Sequence, residues 1–340
     1  MRRWLKRLAL GAVGLLVIGL LSTSVYHLVV SHLDRGRFPP PGQLVDVGGY
    51  RLHILCQGEG SPTVVLDAGL GGWSTDWGKV LPGASKITRV CAYDRAGMGW
   101  SEDGPLPRTS AQVVSELHRL LVNLGIGAPT VLVGHSFGGY NVRLYAATYP
   151  AEVAGIVLVD ASHEEQEERL PVELTRMSVG TRLEYQAAPW LARIGVLRLL
   201  KIGMGPEPKH LATAVQAEAQ GARFWNGGYR AAMSELLEFP TSAAQLRAAD
   251  RQLAVPLVVL SAGKQEAAPG MSPEVLAHFR AVWDTLQREE AAWSPRGVRV
   301  IATQSSHYIA LIQPELVTDA IRMVVEVSRA ARDSSSAVTH

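Results

Sequence analysis

Six short apolar runs, at residues 63–66, 89–93, 130–133, 155–159, 257–260 and 298–301, set the strongest limit on what this chain can form. They are rich in Val, Ile and Leu and do not alternate with polar residues, which is the pattern of strands covered on both faces. Helical patterns at 111–124, 140–149, 273–289 and 314–331 fall between or after them. Strand and helix in turn predict an α/β fold, with a mostly parallel sheet and helices on both of its faces. Residues 44–47 and 50–56 alternate apolar and polar around Gly48-Gly49. A β-hairpin therefore opens the sheet and brings it to eight strands.

The alternation breaks once. Between 161 and 251 no strand pattern occurs, and the stretch is rich in helix-forming Ala, Leu, Glu and Arg. It is too long for a structureless loop, so 162–250 reads as a helical cap inserted into a core made of 43–161 and 251–332. Trp190, Phe224, Trp225 and Tyr229 in the cap suit either an apolar roof over a substrate or the packing of cap helices on one another. The stretch 194–202 is apolar enough to meet a membrane surface. The polar tail 333–340 is expected to fray.

Residues 8–30 contain no Asp, Glu, Lys or Arg. As a helix rising 1.5 Å per residue the run is about 35 Å long, enough to cross a bilayer core of about 30 Å. Arg2, Arg3, Lys6 and Arg7 precede it. By the positive-inside rule the amino terminus stays in the cytoplasm and the rest of the chain lies outside. A cleaved export signal has the same basic start and apolar run, with small residues here at Ser22 and Ser24. Continuation through Tyr26 and Leu28-Val29-Val30 is longer than such a signal needs and favours a retained anchor over residues 1–34. The proline-rich 35–42 then reads as a stiff spacer. Beyond residue 7 there is no long basic run, and 33 basic against 31 acidic residues leave a net charge of +2. Nucleic acid is therefore not an expected partner. A hydrophobic fraction of 47% with 19% charged residues also excludes disorder and coiled coil for most of the chain.

The chemistry-bearing residues follow the run at 130–133. Gly134-His135-Ser136-Phe137-Gly138-Gly139 is a G-x-S-x-G sequence with a strand before it and a helix after it. The glycines permit a sharp turn that lifts the serine out of the line of the backbone. The helix that starts there points its positive end at any negative charge developing beside Ser136. With this motif the chain resembles the α/β-hydrolase fold family over about 43–331. Asp94-Arg95-Ala96-Gly97-Met98-Gly99-Trp100-Ser101 is similar to the family's D-R-x-G-x-G-x-S stretch. Asp67-Ala68-Gly69-Leu70-Gly71-Gly72 is similar to its H-G-x-x-G loop, with Asp-Ala where many relatives have His-Gly. The resemblance implies that the backbone N–H groups of Leu70 and Phe137 form an oxyanion hole.

A serine hydroxyl needs a base to take its proton, and the base needs a carboxylate to fix its tautomer. The family order of nucleophile, acid and histidine points to His307, shortly after the last apolar run. His135 lies inside the elbow, His163 at the entrance to the cap, and His210 and His278 on helical patterns. For the acid, Gly263-Lys264-Gln265-Glu266-Ala267-Ala268-Pro269 aligns with the family's G-x-x-D-x-x-P and offers Glu266. Asp160, at the end of the run at 155–159, is the alternative. Asp94 and Asp67 read as structural. In the family's strand order Cys56 and Cys91 lie on neighbouring strands, so outside the cytoplasm they can pair as a disulfide; two buried thiols are the alternative.

The expectation is a serine hydrolase that cleaves a carboxylic ester, thioester or amide through an acyl-enzyme on Ser136, with a small-molecule ester or acyl compound as its partner. Serine at this position argues against dehalogenase and epoxide hydrolase chemistry. Acyl transfer or perhydrolysis at the same intermediate is the alternative. A non-catalytic binding protein on a hydrolase fold is a third reading, disfavoured because such proteins usually lack a triad member. No metal or organic cofactor is implied.

Overall fold

The computed structural model describes residues 2–337 apart from 176–178, 205, 250–251, 253 and 266–270. Its eight strands are β1 (Gln43–Asp46), β2 (Arg51–Gln57), β3 (Val64–Asp67), β4 (Val90–Tyr93), β5 (Thr130–His135), β6 (Val153–Val159), β7 (Leu257–Ala262) and β8 (Gly297–Ala302). They form one sheet in the order β1-β2-β4-β3-β5-β6-β7-β8. Only the β1–β2 and β2–β4 pairs are antiparallel. Register aligns the carboxyl ends of the parallel strands: Asp67 opposes Gly134, His135 opposes Val159, Val159 opposes Leu260, and Ala262 opposes Ala302. The loops leaving these ends share one edge of the sheet, where open α/β sheets bind their ligands.

The central strands are covered on both faces, as their uniformly apolar runs require, whereas the run at 298–301 departs from that expectation: it forms the edge strand β8, where Val298 and Ile301 are 48% and 50% exposed. One core joins Leu132, Ile156 and Leu158 to Leu117 and Leu120 of helix α2 (Ser110–Asn123) and to Tyr140 and Leu144 of helix α3 (Phe137–Thr148). The other joins Val131, Val133 and Val157 to Val317, Ile321 and Val324 of the carboxyl-terminal helix Pro314–Ala337. That helix runs on into the polar residues after 332. It continues to Ala337, with the Ser334 hydroxyl bonded to the Ala330 carbonyl at 2.8 Å. Adding residues to an established helix costs little, so the polar residues extend it. Cys56 and Cys91 face one another across β2 and β4 and are joined as a disulfide.

Among the described residues the insertion between β6 and β7 is helical, and it divides by what it covers. Helix Phe239–Ala248 belongs to the core: Phe239, Ala243 and Leu246 pack with the sheet residues, and the Phe239 ring lies 5.8 Å from Phe137 and 5.0 Å from Tyr140. The elements before it, including helices Val179–Arg193, Val196–Leu199, Gln216–Ala222 and Asn226–Leu237, form the cap proper. Phe224, Trp225 and Tyr229 are buried there, whereas Trp190 is 68% exposed.

Helix α1 (Arg2–Arg37) is long and apolar enough to cross a membrane, and its most apolar window is not buried against the rest of the protein. It runs through Arg35–Arg37, three residues into the stretch expected to be a spacer. Its carboxyl-terminal half carries one polar stripe, Thr23, His27, Ser31 and Asp34, at the three- and four-residue spacing of a single helix face. That stripe meets the cap. Arg198 reaches Asp34 at 2.7 Å and Ser31 at 3.2 Å, His27 is buried, and Gly195 packs against Thr23 and His27.

Candidate active site

Ser136 sits between β5 and α3 with φ 51° and ψ −121°, a region that a side chain rarely occupies. Its neighbours hold it there. The Ser136 N–H donates to the Val159 carbonyl at 3.2 Å, and the Ser136 carbonyl accepts from the Gly139 and Ser162 N–H groups at 2.8 and 3.0 Å. The motif glycines are required by close backbone packing: a Cβ on Gly134 would lie 2.5 Å from the Gly138 carbonyl oxygen, and one on Gly138 would run into the Asp67 carbonyl. His135 and Phe137 are buried, which leaves Ser136 as the residue of the turn that faces outward.

His307 lies in the loop after β8, and its Nδ1 is 2.7 Å from Asp160 Oδ2. Asp160 directly follows β6 and is buried. Its second oxygen, Oδ1, accepts from the Ala262 N–H and from Trp283 Nε1, both at 2.9 Å. Burial pushes the Asp160 carboxyl up, but the bond to His307, together with those from Ala262 and Trp283, outweighs it and holds the group below its ordinary range. Glu266 lies outside the described residues. The imidazole has a single Nδ1, and Asp160 takes it.

The histidine loop is held from two further sides. His135 Nε2 lies 3.0 Å from the His307 carbonyl, and the Lys264 N–H donates to the Ser305 carbonyl at 2.8 Å. Burial first, then the neighbouring His307, lowers His135 to about 3, so it is neutral and donates through Nε2. Ser136 and His307 line one cavity of about 440 Å³, and among the described residues no hydrogen bond joins the Ser136 hydroxyl to the imidazole. The apolar side of that cavity is made by Leu170, Leu174, Met271, Phe279 and Trp283, and Gln166 and Lys264 are polar members of its lining.

On the opposite side the loop after β3 packs against the elbow, with Gly69 beside His135 and Ser136. No acceptor among the described residues takes the N–H of Leu70 or of Phe137. The loop is shaped by a residue whose role the sequence reading missed. Arg95, fully buried, donates to the carbonyls of Ala68 and Gly69, both at 2.7 Å. Its charge is met by Asp67 at 2.5 Å and by Glu235, from cap helix Asn226–Leu237, at 2.7 and 3.0 Å. Burial works against the guanidinium's charge, but Glu235 and then Asp67 overcome it and keep Arg95 protonated. Glu235 also accepts the Gly71 N–H at 3.1 Å. Asp94 has the structural role expected of it, accepting the N–H groups of Ser74 and Trp100 and facing His53 Nδ1 at 2.9 Å. Arg95 stands in a motif that the sequence offers. Glu235 has no local signal, because its partner is 140 positions away.

His163, Glu165 and Glu289 bring ligand-type atoms within 4.8 Å of one another. Arg169 already pairs with both carboxylates, at 3.0 and 2.5 Å, and answers their charge.

Comparison with known proteins agrees with this architecture. A family model described as the alpha/beta hydrolase fold matches residues 62–193. An AB hydrolase superfamily protein from Gibberella zeae is 26% identical over 296 residues, 79% of this chain and 87% of its own. A thermophilic esterase from Thermogutta terrifontis superposes with a TM-score of 0.58 at 22% identity, covering 84% of this chain and 98% of the esterase. A probable hydrolytic enzyme from Pseudomonas aeruginosa superposes at 0.63 with 20% identity, covering 84% and 94%. The chain spans 20% and 54% of the length of two further curated relatives that it matches. The strand order, the strained serine turn after β5 and the match to the family model converge: the chain has the α/β-hydrolase fold.

Proposed function

We propose that the protein is a serine hydrolase that cleaves carboxylic esters through an acyl-enzyme on Ser136, with His307 as base and Asp160 as the orienting acid. The observation that carries this reading is the 2.7 Å contact between His307 Nδ1 and a buried Asp160, in a loop that shares its cavity with the strained serine turn. Ionised Asp160 holds the proton on Nδ1, so Nε2 is free to accept one from the Ser136 hydroxyl. Attack on the ester carbonyl places negative charge on its oxygen, which the N–H groups of Leu70 and Phe137 and the amino end of α3 receive. Collapse of this intermediate breaks the bond to the alcohol, which leaves with the proton from His307. Water, deprotonated by the same imidazole, then attacks the acyl-enzyme, and the released carboxylic acid frees Ser136. Asp160 rather than Glu266 fills the acid's role, because the single Nδ1 proton is already committed.

The wall of Leu170, Leu174, Met271, Phe279 and Trp283 supports an ester with an apolar acyl or alkyl group. Helix α1 is the retained anchor of the earlier expectation, and the domain after it is extracytoplasmic. The disulfide fits an oxidising compartment, and the polar stripe of α1 seated on the cap is a contact that cleavage would remove. A p-nitrophenyl ester series on the full chain tests the activity. Turnover that rises with acyl length and disappears in Asp160→Asn is expected, while persistence in Asp160→Asn with loss in Glu266→Gln would reassign the acid.

A further inference from the structure

The cap touches α1 at an unexpected height. Gly195 abuts Thr23 and His27, and both fall inside the uncharged run that ends at Val30. At 1.5 Å per residue Thr23 lies about 10 Å before Val30 along the helix. The whole run exceeds a hydrocarbon core of about 30 Å by only a few ångströms, so the Thr23–His27 level falls within the upper acyl region of the leaflet on the catalytic side. The cap segment on either side of Gly195 carries Trp190, Leu199, Leu200 and Ile202, which are 68%, 61%, 61% and 52% exposed, with the exposed Arg230–Asp103 pair lining a cavity beside Trp190. Arg193 and Lys201 are exposed beside them.

From this juxtaposition we infer that the cap edge at Trp190 and Leu199–Ile202 is a membrane-binding surface, inserted into the same leaflet that α1 crosses. The occupant is lipid, because the patch continues a lipid-facing helix. Around the contact, Val25, Tyr26, Leu28 and Val29 of α1 are exposed on the sides that the cap leaves uncovered. Four large apolar side chains rimmed by two cations form the pattern of an interfacial segment, which buries about 5–10 Å into the boundary between head groups and acyl chains. A tryptophan at that depth keeps its indole N–H near the head groups. The partly buried pair of Arg198 with Asp34, at 2.7 Å, ties the cap edge to the helix, so insertion of one sets the depth of the other. The inference rests on α1 being a retained anchor.

Both cysteines are bonded, so one introduced cysteine gives a single addressable thiol. Full-length Leu200→Cys, Leu16→Cys and Val122→Cys, each labelled with an environment-sensitive fluorophore, are reconstituted into phosphatidylcholine vesicles with doxyl groups on the upper or the central acyl chain. The label at 200 is expected to shift to the blue and to be quenched by the upper-chain probe. The label at 16 is expected to be quenched by the central probe, and the label at 122, on α2, by neither. Quenching at 16 without quenching at 200 overturns the cap surface and leaves the anchor standing. Quenching at 200 without quenching at 16 contradicts the spanning helix and with it the shared-leaflet inference, and quenching at neither site overturns both.

Discussion

The two walls beside Ser136 are built in opposite ways. The wall formed by the loop after β3, the proposed oxyanion side, is locked by charge: Arg95, buried, ties the carbonyls of Ala68 and Gly69 to Asp67 and to Glu235 of the cap. The acid-side wall, apart from the buried Trp283, is made of partly exposed side chains, Leu170, Leu174, Met271 and Phe279, contributed by the start of the cap and the elements after β7. The first wall carries polar groups that must not move when charge develops. In the proposed mechanism the second would touch the part of the substrate that does not react. The difference teaches how one fold separates its tasks, with preorganisation on one side of the serine and specificity on the other.

Substitutions on the two sides should therefore fail differently. The largest effect is expected at the proposed triad acid, where Asp160→Asn should lower kcat by about ten-thousandfold because His307 would lose its required tautomer. Glu266→Gln, measured beside it, should leave kcat near wild type. On the locked wall, Glu235→Gln should lower kcat by roughly tenfold to a hundredfold, less than the loss of an oxyanion donor itself, with KM little changed. It should also lower stability by about 3–5 kcal/mol, because buried Arg95 keeps only one of its two carboxylates. A fall in stability with kcat intact would reduce the network to scaffolding. On the apolar wall, Phe279→Ala should change the preference between short and long acyl chains by no more than about 1–3 kcal/mol, with kcat on the shortest ester unchanged. A uniform loss of kcat across the series would erase the distinction between the walls.

A further effect, on stability rather than turnover, concerns pH. His135 is neutral with its value lowered to about 3, while an unfolded histidine titrates near 6.5. Between these limits the unfolded chain binds the extra proton, so this residue's contribution to stability is complete above about 6.5 and is lost as pH falls. Chemical denaturation of wild type and His135→Gln should give a stability difference that narrows on going from pH 7 to pH 4. A difference independent of pH would mean that His135 does not stay neutral in the fold.

What the sequence made legible follows from the range of each signal. The strands and the serine turn were visible because uniform apolar runs and G-x-S-x-G are local patterns. The disulfide is one of the two readings that the resemblance to the family's strand order leaves open, and His307 as the proposed base rests on its place after the last run. Asp160 stood only as the alternative acid, since an aspartate ending a strand looks the same whether it orients a histidine or satisfies loop amides. Trp283, which donates to it, is 123 positions away. Glu235 was silent for the same reason. The height at which the cap meets α1 depends on packing between segments that periodicity reads one at a time.

The central claim is that Ser136 is the nucleophile of an acyl-enzyme, and intact-protein and peptide mass spectrometry after a fluorophosphonate probe tests it most directly. One adduct on the peptide that contains Ser136, absent in Ser136→Ala and formed far more slowly in Asp160→Asn, is the predicted result. Equal labelling of wild type and Ser136→Ala, or an adduct on another serine, would contradict it.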